Sequence, residues 1–170
     1  MQLPQRMRIE QARPHEAPAV ASVLQEAAHW LVATGNELWS PSEFTQERVL
    51  PDTVAGLFFI ARVGDEVAGT MKLQMEDSFF WPEIEKGTST FVHKLAVRRS
   101  WAKKGISTAL LAFAREQTKN LGRAHLRLDC VANRLGPRAV YERFGFTLHS
   151  TVSKGGLSFA RYELSAFGSE

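Results

Sequence analysis

The stretch from Thr90 to Thr108 constrains the fold more than any other part of this sequence. An apolar run of strand character, Thr90 to Val97, ends at Arg98-Arg99, and the turn Ser100-Trp101-Ala102-Lys103-Lys104-Gly105 follows at once. From Ile106 the period changes: Ile106, Ala109, Leu110, Phe113, Ala114 and Gln117 trace one face of a helix. A strand that turns tightly into a helix is a building unit of layered α/β domains. The helix start leaves the backbone N–H groups of Ile106, Ser107 and Thr108 without intrahelical partners and carries a partial positive charge. Lys103 and Lys104 add full charges, and Gly105 lets a ligand reach the backbone with no side chain in the way. Together these features describe a pyrophosphate site. Taken alone, the same residues equally describe a solvated loop that caps a helix. The patterns G-x-x-x-x-G-K-[ST] and G-x-G-x-x-G are absent, which excludes a nucleotide P-loop and the dinucleotide fingerprint.

The remaining chain supplies elements around this unit. Arg8 to Ala12 reads as a first strand. Val20, Val23, Leu24, Ala27 and Leu31 have helical spacing, and Pro18 is tolerated in a first turn. Gly35-Asn36 breaks that helix, and a second, shorter one follows with Ser40 as cap and Pro41 at its first position. Leu57–Val63 is an apolar strand, Gly64-Asp65 a hairpin turn, and Val67, Gly69, Met71, Leu73 and Met75 alternate on the return. Glu76 to Thr88 is a loop containing Phe79, Phe80 and Trp81. Leu126, Leu128 and Cys130 share one face of a later strand, Gly136–Arg143 is a short helix, and a hairpin closes around Gly155-Gly156. The order is β-αα-βββ-α-β-α-ββ: a mixed α/β fold, expected as a single domain over residues 1–170 with a central twisted sheet flanked by helices.

Composition limits the function classes. A net charge of +3 is too small to argue for nucleic acid, and no aromatic-basic stripe is present. No run approaches the ~18 apolar residues of a membrane helix, and Met1–Ala12 has no apolar signal stretch. Cys130 is the only cysteine, so no intramolecular disulfide forms, and a reducing cytoplasm is the expected setting. The five histidines show no metal-ligand spacing, so no metal is expected.

A second constellation lies downstream: Asn133, then Tyr141-Glu142-Arg143-Phe144-Gly145-Phe146. With it, the chain resembles the GCN5-related N-acetyltransferase (GNAT) superfamily, by motif over Leu95–Phe146 and by element order over the whole chain. In that family Gln/Arg-x-x-Gly-x-Gly/Ala binds the coenzyme A pyrophosphate. Here the run is Ala102-Lys103-Lys104-Gly105-Ile106-Ser107, which keeps the central Gly105 and departs at both ends. The resemblance implies acetyl-CoA as donor, held by Lys103, Lys104, Gly105, Ile106, Ser107 and Thr108. It also implies pantetheine pairing with the backbone of Leu95 and Val97, an arm contact at Asn133, and Tyr141 beside the sulfur. The reaction implied is acetyl transfer to an amine of a small molecule or peptide. Family members are often dimers, so a homodimer is expected.

Transfer requires a neutral amine, a donor to the developing oxyanion and a proton for the leaving thiolate. Backbone N–H groups at Leu95 or Ala96 are candidates for the second role and Tyr141 for the third; otherwise Tyr141 is a core residue. The family's usual carboxylate base falls at Phe91 and is missing. His93, counted onto the face of Phe91 and Leu95, can replace it, since imidazole titrates near neutrality; a chain of waters would serve equally. Cys130 reads as a buried small residue, and Asp129 as one half of a strand ion pair with Arg127 or His125. Trp30 and Trp39, flanking the Gly35 break, are candidates for the wall of an acceptor pocket, or for core plugs. Two rivals stand beside the transferase: an acetyl-CoA-binding regulatory domain without turnover, and a transferase of a longer acyl group.

Overall fold

The structure is a computed structural model; it describes residues 6–36 and 38–168. Among the described residues seven strands and four α-helices follow in the order β1 (Met7–Gln11), α1 (Ala17–Ala33), α2 (Gln46–Val54), β2 (Phe58–Val63), β3 (Glu66–Gln74), β4 (Ser89–Val97), α3 (Ile106–Asn120), β5 (His125–Val131), α4 (Leu135–Phe144), β6 (Thr147–Lys154) and β7 (Leu157–Ser165). The strands form one mixed sheet in the order β1-β2-β3-β4-β5-β7-β6. This is the expected element order; the closing hairpin inserts its second strand next to β5. The chain divides into two compact units, Met1–Lys72 with Lys94–Leu110, and Leu73–His93 with Leu111–Glu170.

In the first unit β1 and β2 pair antiparallel, as do β2 and β3. The apolar stripe of α1 is buried through Val20, Val23, Leu24 and Ala28. It forms one core with Phe44, Val49, Phe58, Ile60 and Ala96. The single helix expected after Ser40 is two elements. Pro41–Phe44 is a 3₁₀ turn, with Ser40 N–H donating to the Glu43 carboxylate at 2.7 Å. Thr45 is extended and caps α2 itself, accepting from Arg48 N–H at 3.2 Å. Gln25 Nε2 donates to the Phe44 carbonyl at 2.7 Å and ties the 3₁₀ turn to α1.

In the second unit β4 and β5 run parallel with Ser89, Thr90 and Phe91 opposite His125, Leu126 and Arg127. β5 and β7 are antiparallel, with Asp129 opposite Arg161. Leu126, Leu128, Ala160 and Tyr162 are buried, as the alternation of their strands requires. The loop between β3 and β4 is anchored rather than loose. The indole of Trp81 is buried with the guanidinium carbons of Arg127 and Arg161 at 4.9 and 4.5 Å from its ring centre. Both arginines are buried and paired, Arg127 with Glu163 and Arg161 with Glu83. Trp81 is therefore a core plug. No helix among the described residues is long and apolar enough to cross a membrane.

Candidate active site

In the first unit the basic turn is built on α1. Ser22, Glu26 and Trp30 stand at successive i, i+4 positions and face the residues that follow β4. Ser22 accepts from Arg98 at 3.1 Å, the Glu26 carboxylate accepts from Arg99 N–H at 2.9 Å, and the Arg99 guanidinium carbon lies 4.0 Å from the Trp30 ring centre. Arg98 also donates to the Val67 carbonyl at 2.9 Å. This clamp was not foreseen in the sequence; the i, i+4 spacing of its three residues was the available signal. Beyond it, Lys103, Lys104 and Gly105 are exposed, and Ile106 is buried as the first residue of α3. Lys104 Nζ lies 5.1 Å from the Trp101 ring centre. Gly105 has φ +85°, and a Cβ built on it would meet nothing within 4 Å. Open space therefore fronts the turn where the α3 amides begin, as an anion site requires. Ser107 is partly buried and Thr108 exposed.

β4 does not keep a simple alternation. Lys94 has φ 53°, left-handed for a non-glycine residue. Faces cannot be counted through it, so alternation does not carry from His93 to Leu95, while the grouping of Phe91 with His93 does not depend on it. Leu95 and Val97 are partly buried and Ala96 is buried. The Lys94 ammonium lies 5.0 Å from the Trp39 ring centre and 5.5 Å from that of Phe44, and the two rings meet edge to face at 5.7 Å. Trp30 and Trp39 thus meet different cations, one on each side of the Gly35 break. Trp39 is partly buried against the α1 core, whereas Trp30 is 39% exposed.

The second unit holds His93, Asp77, Asp129, Cys130 and Tyr141. His93 Nε2 lies 2.9 Å from Asp77 Oδ2, and their side chains are only 17% and 6% exposed. Asp77 Oδ1 accepts from the N–H groups of Phe79 and Phe80 at 3.1 and 3.0 Å. Burial alone would push the Asp77 carboxyl up. His93 and the Phe80 and Phe79 amides outweigh it and hold the group below the ordinary carboxylate value. Asp129 adds a third donor atom, all three lying within 4.8 Å of one another, close enough for a cation to be held. Arg127, one of the partners expected for Asp129, bonds to Glu163 and Ser89. The sequence reading missed Asp77 because loop and strand residues distant in the chain share no periodicity.

Tyr141 stands on α4 with its ring 6.1 Å from those of Phe146 and Tyr162. Burial pushes its hydroxyl pKa up, and the nearby Cys130 and Asp129 add to this, so the phenol keeps its proton. α4 is fixed by a network absent from the sequence reading. The buried Tyr162 hydroxyl accepts from Arg138 at 2.7 Å and donates to Glu142 at 2.5 Å, and Arg138 also donates to the Ala132 carbonyl at 2.8 Å. Asn133 is exposed in the turn before α4. Cys130 is partly rather than fully buried, and desolvation pushes its thiol up to about 11, so it is a poor nucleophile.

Residues 24–146 match the model of the acetyltransferase (GNAT) family. The chain belongs to that family. A GNAT relative, the uncharacterized N-acetyltransferase YesJ of Bacillus subtilis (strain 168), is 25% identical over 146 residues, covering 82% of this chain and 81% of its own. Among solved structures, a GNAT acetyltransferase from Listeria monocytogenes superposes with a TM-score of 0.77 at 20% identity, covering 94% of each chain. YncA from Salmonella typhimurium, solved with its cofactor acetyl-CoA, superposes with a TM-score of 0.74 at 15% identity, covering 97% of this chain and 96% of its own. The two structures establish the GNAT fold, and the family match establishes an acyltransferase.

Proposed function

We propose that this GNAT chain is an N-acetyltransferase that moves the acetyl group of acetyl-CoA to a primary amine of a small molecule. The observation that carries the donor half is the open, left-handed Gly105 at the start of α3, flanked by exposed Lys103 and Lys104. A pyrophosphate fits there: the first-turn amides of Ile106, Ser107 and Thr108 point along the helix axis, and no side chain bars the approach. The coenzyme supplies an activated thioester. The residues of this chain do the rest. Backbone at Leu95 and Val97 and the side chain of Asn133 hold the pantetheine arm, in keeping with the family. A lysine-like amine has a pKa of ~10.4, so it must lose a proton before it attacks; His93 takes that proton. An N–H of Leu95 or Ala96 faces the negative charge that grows on the carbonyl oxygen. Tyr141, whose hydroxyl stays protonated, gives its proton to the departing sulfur and regains one from solvent.

We assign Trp39 to the acceptor side and Trp30 to stacking on Arg99, which covers one face of its ring. The test is a screen of primary amines with wild-type protein and acetyl-CoA, read by released thiol. Turnover on at least one class is expected. Coenzyme binding with no thiol release on any amine would favour a regulatory binding domain instead.

A further inference from the structure

We propose that Asp77 is a positioning residue that fixes the tautomer of His93, directing the Nε2 proton to its own carboxylate and leaving the Nδ1 lone pair to accept the proton of the substrate amine. This inference rests on the reading of His93 as the base.

Four observations carry it. The contact is short, 2.9 Å from Nε2 to Oδ2, and both side chains are largely buried. The carboxylate cannot swing away, because its other oxygen is held by the amides of Phe79 and Phe80. The loop that carries it is pinned on both sides. Arg123 Nη1 donates to the carbonyls of Met75 and Ser89 at 2.6 and 2.8 Å, and Arg161 Nη1 donates to the carbonyl of Phe80 at 2.9 Å. The imidazole is braced as well: the Phe80 ring lies 6.3 Å from it and packs edge to face on Phe159 at 5.0 Å.

Among the described residues, Asp77 from the loop and Asp129 from β5 each bring a carboxylate oxygen within 4.8 Å of a His93 ring nitrogen. When the imidazole takes a proton from the amine nitrogen onto Nδ1, the N–H bond of the amine breaks and its electron pair becomes free to attack. The imidazolium then carries both ring protons. Release of the Nδ1 proton to solvent restores the starting tautomer. An unsupported histidine would divide between two tautomers, one of which presents N–H rather than a lone pair.

The experiment combines ¹⁵N NMR of the imidazole with kinetics. Wild-type neutral His93 is expected to carry its proton on Nε2. Asp77→Asn keeps an acceptor for Phe79 and Phe80 but turns an NH₂ group toward Nε2, so the proton should move to Nδ1. The kcat on an amine found by the screen should fall about 10²–10⁴-fold, with acetyl-CoA affinity and melting temperature close to wild type. A wild-type tautomer protonated on Nδ1 would overturn the proposal without recourse to any variant. Unchanged kcat in folded Asp77→Asn would overturn it too, provided His93→Ala is inactive. Full activity in His93→Ala would instead remove the underlying reading of His93 as the base.

Discussion

Gly69 on β3 lies directly against Ala96 on β4: a Cβ on Gly69 would come within 2.9 Å of the Ala96 carbonyl oxygen and equally close to Ile106 Cγ2. The space a side chain would fill is taken by the strand before the basic turn and by the first residue of the helix after it. Gly69→Ala forces backbone to shift, an overpacking worth about 1–3 kcal/mol. The expected result is a clearly lower melting temperature together with weaker acetyl-CoA binding, since Ile106 opens α3. Differential scanning calorimetry and titration calorimetry measure the two effects.

Gly105 tests the donor site without that packing problem, because its surroundings are empty. Gly105→Glu places a carboxylate where the pyrophosphate is proposed to bind and strains a backbone at φ +85°. The folded variant should bind acetyl-CoA at least tenfold more weakly by titration calorimetry. Unchanged affinity would move the site elsewhere.

Tyr141→Phe keeps the ring contacts with Phe146 and Tyr162 and removes the hydroxyl. Loss of a general acid typically costs about 10²–10⁴-fold in rate. The kcat should fall by that order with acetyl-CoA affinity little changed. Because the wild-type hydroxyl is held above its ordinary value, kcat should show no loss attributable to Tyr141 ionisation as pH rises toward 10.

Trp39 and Trp30 separate by kinetics. Trp39→Ala removes a ring proposed for the acceptor wall and should raise the acceptor KM; stacking of a cationic acceptor on such a ring is worth ~0.5–2 kcal/mol. Trp30→Ala should leave the acceptor KM unchanged and loosen only the Arg99 turn. Initial rates across acceptor concentration distinguish them.

Cys130, with its thiol raised to about 11 by desolvation, carries little thiolate at neutral pH. Alkylation by iodoacetamide at pH 8 should run on the order of 100-fold slower than for an ordinary thiol of pKa ~8.5 and accelerate as pH rises toward 11. Intact-protein mass spectrometry follows it. Rapid labelling at pH 8 would contradict the burial argument.

The parts of the molecule that the sequence discloses are those set by local period. The stripe from Ile106 to Gln117 is α3, and the Gly64-Asp65 turn joins β2 to β3. The site is disclosed less fully. Lys94 is left-handed although lysine has no preference for that region, so its break in the β4 alternation leaves no mark in the sequence. The segment after Ser40 reads as one helix, because two caps close together, Ser40 and Thr45, are indistinguishable from one cap and its first turn. Asp77, His93 and Asp129 meet only through the β4–β5 register and the anchoring of the loop by Arg123 and Arg161. Those are long-range events with no local signature.

The central claim is that the acetyl group ends on nitrogen. The most direct measurement incubates wild-type protein with acetyl-CoA and an amine that supports thiol release, then locates the acetyl group in the product by tandem mass spectrometry and counts it against free thiol. One N-acetylated product per thiol is the result the account requires, with formation slowed about 10²–10⁴-fold in Tyr141→Phe. Thiol release with the acetyl group on oxygen, or with no acetylated acceptor at all, would contradict it.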